Sequence, residues 1–199
     1  MTREDTARVR ALAEAEFPGI ALHFHEQCFA SDGHFAGPDD QRLAAFLECA
    51  NDPAFDAVWF ARGGYGACRI AEDVVAKLDH AAQDKVFLGY SDAGYLLGAL
   101  YRARIGQPVH APMPNDIRRE GGEAAVRRAL GYLSGDRSGL EPSLDRHPAV
   151  AFNFITLAML CGTRLMPGLA GHVVMVEEVS EHLYAVDRRT GAISWAAPI

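Results

Sequence analysis

Two short apolar runs, each cut off by a turn and followed at once by a helical pattern, constrain this chain more than any other feature. Ala57-Val58-Trp59-Phe60-Ala61 leads into Arg62-Gly63-Gly64-Tyr65-Gly66 and a helical pattern over 68–78. Val86-Phe87-Leu88-Gly89-Tyr90 leads into Ser91-Asp92 and a helical pattern to 104. A continuous apolar run between turn signals suits a strand buried on both faces, as happens when helices cover both sides of a parallel sheet. The alternation predicts an α/β fold with a mainly parallel sheet flanked by helices. Ligands of such sheets gather beyond the carboxyl ends of the strands, and both turns fall there.

The remaining punctuation fills in the order. A helix over 6–16 is stopped by Pro18-Gly19, and the alternating segment 20–25 predicts a short strand. Gly37-Pro38-Asp39-Asp40 caps a helix over 41–49 that ends at Asn51-Asp52-Pro53, and a further helix covers 122–133. The polar stretch 134–148 reads as a linker between an α/β domain over 1–133 and an incomplete, β-rich carboxy-terminal domain over 149–199. That last part holds an apolar segment over 152–160, a Gly162-Thr163 break, and a strand-like Val173-Val174-Met175-Val176 that ends in Glu177-Glu178.

Composition removes several classes of function. With 19 Lys+Arg against 26 Asp+Glu the chain carries a net charge of −7, so sequence-independent binding to a phosphate backbone has no electrostatic basis. Cys28, Cys49, Cys68 and Cys161 form no Cys-x-x-Cys pair and follow no secretory signal, which argues against a structural zinc or disulfide framework and fits a reducing cytoplasm. No apolar run approaches the roughly 18 residues of a membrane span. The expectation is a soluble cytoplasmic protein with neither nucleic acid nor membrane as partner.

Three constellations carry chemistry. In Gly89-Tyr90-Ser91-Asp92-Ala93, small residues two before and two after a serine suit a sharp strand-to-helix turn that lifts a nucleophilic hydroxyl, with the Asp92 N–H as an oxyanion donor. The same Ser-Asp pair also reads as an ordinary helix N-cap. Arg62-Gly63-Gly64-Tyr65-Gly66 offers backbone N–H groups to a carboxylate, phosphate or oxyanion, or is a tight turn without a ligand. It is no dinucleotide fingerprint, because Arg69 stands where the third glycine belongs, and no P-loop. Glu177, with Glu178, Glu181 and His182 nearby, could orient an imidazole or be the solvated end of a strand. His23 and His25 share a strand face beside Cys28, but nothing completes a metal ligand set. The pairs Arg118-Arg119 and Arg127-Arg128 read as the solvated face of a helix.

Taken in order, Phe35-Ala36-Gly37, Ala61-Arg62-Gly63-Gly64-Tyr65-Gly66, Gly89-Tyr90-Ser91-Asp92, His110-Ala111-Pro112-Met113, Asn153 to Gly162-Thr163 and Val176-Glu177-Glu178 resemble the L,D-carboxypeptidase family. This is the murein tetrapeptide carboxypeptidase family, which includes the microcin C self-immunity peptidases. The resemblance runs from about His34 to Arg188. It implies a serine peptidase with a Ser-His-Glu triad that removes the terminal D-alanine of a murein tetrapeptide during cytoplasmic wall recycling. Ser91 would be the nucleophile and Glu177 the acid. The Asp92 N–H and a glycine of Gly63-Gly64 would hold the oxyanion, with Arg62 beside them at the substrate. The resemblance implies no metal or organic cofactor, and a homodimer. None of His23, His25, His34, His80, His110, His147, His172 or His182 stands at the family's catalytic histidine position. The pattern reads as a chain shortened at both ends. Two other readings stay open: a non-catalytic peptide-binding relic of the same fold, and a cysteine hydrolase using Cys68.

Overall fold

The computed structural model describes residues 1–144 and 147–178, with the backbone alone of the strands at 182–186 and 193–198. Helix α1 (Arg3–Glu16) opens with a capping box in which the Asp5 N–H donates to Thr2 Oγ1 at 3.2 Å and the Thr2 N–H donates to Asp5 Oδ2 at 2.7 Å. Its buried face, Val9, Leu12 and Ala13, packs on Ile117, Val126 and Leu130. Arg118 pairs with Asp5, and Arg127 with Glu16 at 2.7 Å, so these arginines fasten α1 to the chain around helix α5 (Gly122–Leu133). Arg118 itself ends a short 3-10 turn, Pro114–Arg118, where a solvated helix face was expected.

Helix α2 (Asp39–Asn51) precedes the first sheet, in which β1 (Ala57–Trp59), β2 (Val86–Gly89) and β3 (Gln107–His110) are parallel in that order. The register sets Trp59 beside Leu88, and Gly89 beside His110, so their carboxyl ends share one edge. Helices α3 (Ala67–Lys77) and α4 (Ala93–Ala103) return the chain between strands. The parallel α/β layout is the expected one. Strand β3 was not foreseen, because Pro108 and a half-exposed flank mask its pattern.

The alternating segment 20–25 is not a strand. It and β1 line a cavity of about 600 Å³ without forming a ladder. Alternation supplies a face to bury but not the backbone partner that makes a strand.

The apolar segment 152–160 divides between two elements. Strand β4 (Ala149–Asn153) ends at Asn153, which caps helix α6 (Phe154–Leu160) by accepting from the Ile155 N–H at 3.0 Å. Strand β5 (Val173–Glu177) lies parallel to β4, and β6 (His182–Val186) and β7 (Ile193–Pro198) extend this second sheet antiparallel. Residues 187–192, with the pattern after Arg188, lie outside the described residues.

Helix α4 joins the halves. Residues 93–100 are all buried, as expected of a helix apolar all round. On one side it meets α3. On the other, a Cβ at Gly98 would stand 2.8 Å from Leu160 Cδ1 and 2.9 Å from Phe152 Cε1, so only glycine admits this approach. Gly98→Leu should cost about 1–3 kcal/mol, because the second sheet must move off the helix. The measurement is urea unfolding, with a lower midpoint and an unchanged slope expected. A midpoint equal to the parent's would refute the tight seam.

Candidate active site

Ser91 stands where β2 gives way to α4, with φ +59, one of two non-glycine residues in the left-handed region among the described residues. Such a conformation costs on the order of 1–3 kcal/mol and persists only where the surroundings enforce it. The enforcement is visible two residues to either side. A Cβ at Gly89 would lie 2.9 Å from Phe60 Cδ2 and 3.1 Å from the Ala93 Cβ, so both flanking positions must be small. The Gly94 and Tyr95 N–H groups bond back to the Ser91 and Asp92 carbonyls at 2.9 and 3.1 Å, which starts the helix directly at the crest.

The glycine loop comes up against the hydroxyl. A Cβ at Gly63 would sit 2.9 Å from Ser91 Oγ, so the bare backbone of Gly63 is what borders that oxygen. Gly64 and Gly66 have φ +141 and +100, conformations open to glycine. Asp92 does not cap its own helix. Its carboxylate accepts from the Ala67 N–H at 2.9 Å, capping α3, whose N-cap Gly66 has no side chain to offer. Burial pushes the Asp92 carboxyl up, while the Ala67 N–H, the Arg42 guanidinium and the Gly66 N–H favour its ionised form. Arg42 also donates to the Gly66 carbonyl at 3.0 Å. Half-buried Arg62 lies alongside, its Nη2 4.0 Å from where a Gly64 Cβ would be.

From the second sheet, Glu177 reaches the same place. It ends β5 opposite Asn153 in the register and is 7% exposed. Burial pushes its carboxyl above the ordinary glutamate range, helped by neighbouring Glu178. The Asn153 side chain, the Ser91 backbone N–H and the Arg119 guanidinium pull it back. Glu177 Oε1 is nonetheless a buried acceptor with no donor among the described residues. Asn153 also donates to Glu178 Oε1 at 3.1 Å. Ser91, Asp92, Gly63, Gly64 and Glu177 thus converge, with Arg62 in the adjoining loop. Glu181 and the side chain of His182 lie outside the described residues.

Sequence reasoning passed over the outer rim. Tyr90 Oη donates to Asp116 Oδ1 at 2.8 Å and accepts from Arg119 Nη1 at 2.9 Å. Asp116 Oδ2 accepts from the Met113 N–H at 2.8 Å. Burial and the Asp116 carboxylate raise the Tyr90 phenol to about 12. His110, opposite Gly89, has its ring centre 5.9 Å from that of Tyr90. The protein around it depresses the imidazole to about 4, so it is neutral at pH 7. No described histidine hydrogen-bonds to Ser91 or Glu177. His25 is engaged by the Gln27 N–H and by Glu48, and no group of three His, Cys, Asp or Glu among the described residues is placed for a metal. The Cys68 thiol is pushed up by burial, the opposite of what a nucleophilic cysteine needs.

Comparison with known proteins agrees with this architecture. The LD-carboxypeptidase N-terminal domain, Peptidase_S66, matches residues 2–111. The murein tetrapeptide carboxypeptidase of Pseudomonas aeruginosa is 29% identical over 201 aligned positions, covering 89% of this chain and 63% of the relative. The muramoyltetrapeptide carboxypeptidase structure from Oxalobacter formigenes superposes with a TM-score of 0.70 at 23% identity, covering 92% of this chain and 64% of that one. The microcin C7 self immunity protein MccF in its wild type apo state gives a TM-score of 0.65 at 16% identity, covering 88% and 64%. The chain spans 52–63% of the length of three curated relatives that it matches over most of its own length.

The buried Glu177 has a measurable consequence. A carboxyl whose pKa is raised on folding leaves stability intact below its unfolded pKa and removes it as pH rises through the folded value. Glu177→Gln should therefore gain stability relative to the parent from about pH 4 upward, then level off. Urea unfolding across a pH series checks this. A parent that outstrips the variant increasingly with pH would contradict it.

Proposed function

Since the chain belongs to the LD-carboxypeptidase family, we propose that it supplies the nucleophile, oxyanion donors and acid of a serine carboxypeptidase. The bond cut is the one joining the L-centre of a murein tetrapeptide to its terminal D-alanine. The observation that carries this reading is the strained Ser91 crest, with the Gly63 backbone at its hydroxyl and the Glu177 carboxylate behind its N–H.

In this mechanism Ser91 Oγ attacks the carbonyl carbon and loses its proton to a base. The new C–O bond makes a tetrahedral oxyanion, which the Asp92 N–H and the Gly63-Gly64 backbone hold at the positive end of α4. Collapse breaks the C–N bond, the proton goes to the departing D-alanine amine, and water then cleaves the acyl-serine. Glu177 acts through the base. Its donor-less Oε1 is the acceptor that an imidazole N–H needs in order to be held in one tautomer. The setting we assign is cytoplasmic recycling of wall peptides, by a soluble homodimer. Among the described residues no helix is long and apolar enough to cross a membrane.

A second reading, a peptide-binding relic without turnover, is favoured by the lack of any described histidine bonded to Ser91 or Glu177. One experiment separates the two: mass spectrometry of a murein tetrapeptide incubated with the parent and with Ser91→Ala. The carboxypeptidase reading expects D-alanine release that falls by about 10³–10⁶-fold in the variant. Equal release from both would remove Ser91 from the mechanism, whereas binding with no release from the parent would establish the relic.

A further inference from the structure

Arg119 stands at the outer rim of the site with an assignment the mechanism does not use. It follows the 3-10 turn Pro114–Arg118, and its Nη1 donates to Tyr90 Oη at 2.9 Å, which places the guanidinium beside the residue immediately before Ser91. Its Nε lies 3.5 Å from Asp116 Oδ1, an ion pair that adds to the Tyr90 bond in holding the group at the rim. The side chain remains 69% exposed, and Nη2 with the second N–H of Nη1 makes no hydrogen bond among the described residues, which leaves the two-nitrogen end of a planar, five-donor group for a ligand.

The charges around the crest make that free end informative. Glu177 and Glu178 sit together at the end of β5, and Asp92 and Asp116 flank the turn. A peptide whose scissile bond is its last also brings its own carboxylate to within a few bonds of Ser91, and these acids would repel it. Arg119 is near enough for its charge to act on Glu177. Arg62 lies against Gly64, and its charge also acts on the Met1 amine.

We propose that Arg119 receives the terminal carboxylate of the substrate in a charge-assisted, two-point hydrogen bond and so restricts this site to the last bond of a peptide. The assignment rests on the carboxypeptidase reading and adds to it the feature that distinguishes an exopeptidase site from an endopeptidase one. Tyr90 and Asp116 then act as positioning residues, which hold the fork without touching the peptide. Their own bond does not pass through the arginine, so the rim is expected to keep its shape in an Arg119 variant.

The test is calorimetric binding in the Ser91→Ala background, where turnover cannot intervene. The ligands are a murein tetrapeptide with a free terminal D-alanine and the same peptide with that carboxyl amidated. The parent background should prefer the free acid by about 10–100-fold, the range of one charge-assisted contact. Arg119→Met should abolish that preference by weakening the acid, Arg119→Lys should restore part of it, and Arg62→Met should leave the preference in place. A preference retained in Arg119→Met, as when acid and amide weaken by the same factor, or one lost in Arg62→Met, would overturn the assignment. Equal binding of acid and amide by the parent background would overturn it while leaving the carboxypeptidase reading standing. Binding of neither peptide would overturn both.

Discussion

The Asp92 carboxylate at the amino terminus of α3 is the contact on which the site depends. It ties the turn after β2 to the turn after β1, so the serine crest and the glycine loop are held as one piece. Gly66 adopts a left-handed conformation and brings no capping side chain, which leaves the N–H groups of α3 in need of an acceptor. Asp92 meets that need from across the sheet. A residue that reads locally as the first turn of α4 spends its charge on the neighbouring helix. Its own N–H remains at the crest, beside Ser91.

The second sheet contributes through α4. Gly98 lets Phe152 and Leu160 close on the helix, and the same approach places the end of β5 behind the crest. Glu177 arrives there desolvated, at a cost that its partners only partly offset. A carboxylate held this way keeps an acceptor free for a donor rather than saturating itself with backbone bonds, a pattern associated with functional positions more than with structural ones.

The parallel core was readable because two of its three strands, β1 and β2, are continuous apolar runs ended by turn residues, a pattern set by burial between helices. Glu177 was readable for a related reason: a carboxylate at the end of an apolar strand is conspicuous. Segment 20–25 misled because side-chain alternation carries no information about backbone partners. The break at Asn153 was hidden inside one apolar stretch, where strand and helix demand similar residues and only the capping side chain marks the change. Arg119 was grouped with Arg118 as a solvated helix face, but chain direction after a 3-10 turn sends the two apart, one to Asp5 and the other to Tyr90. Neighbours in sequence gave no hint that their partners belong to different parts of the molecule.

The two margins of the first sheet are unequal. On the β3 side Pro108 withholds a donor from any incoming chain, and the start of β4 lies close by. On the β1 side no proline interrupts the strand, and its outer row of peptide groups faces the cavity shared with segment 20–25. Segment 20–25, on the other wall of that cavity, stands between the unpaired peptide groups of β1 and a second chain, so this edge is guarded by covering backbone where the β3 edge is guarded by a proline.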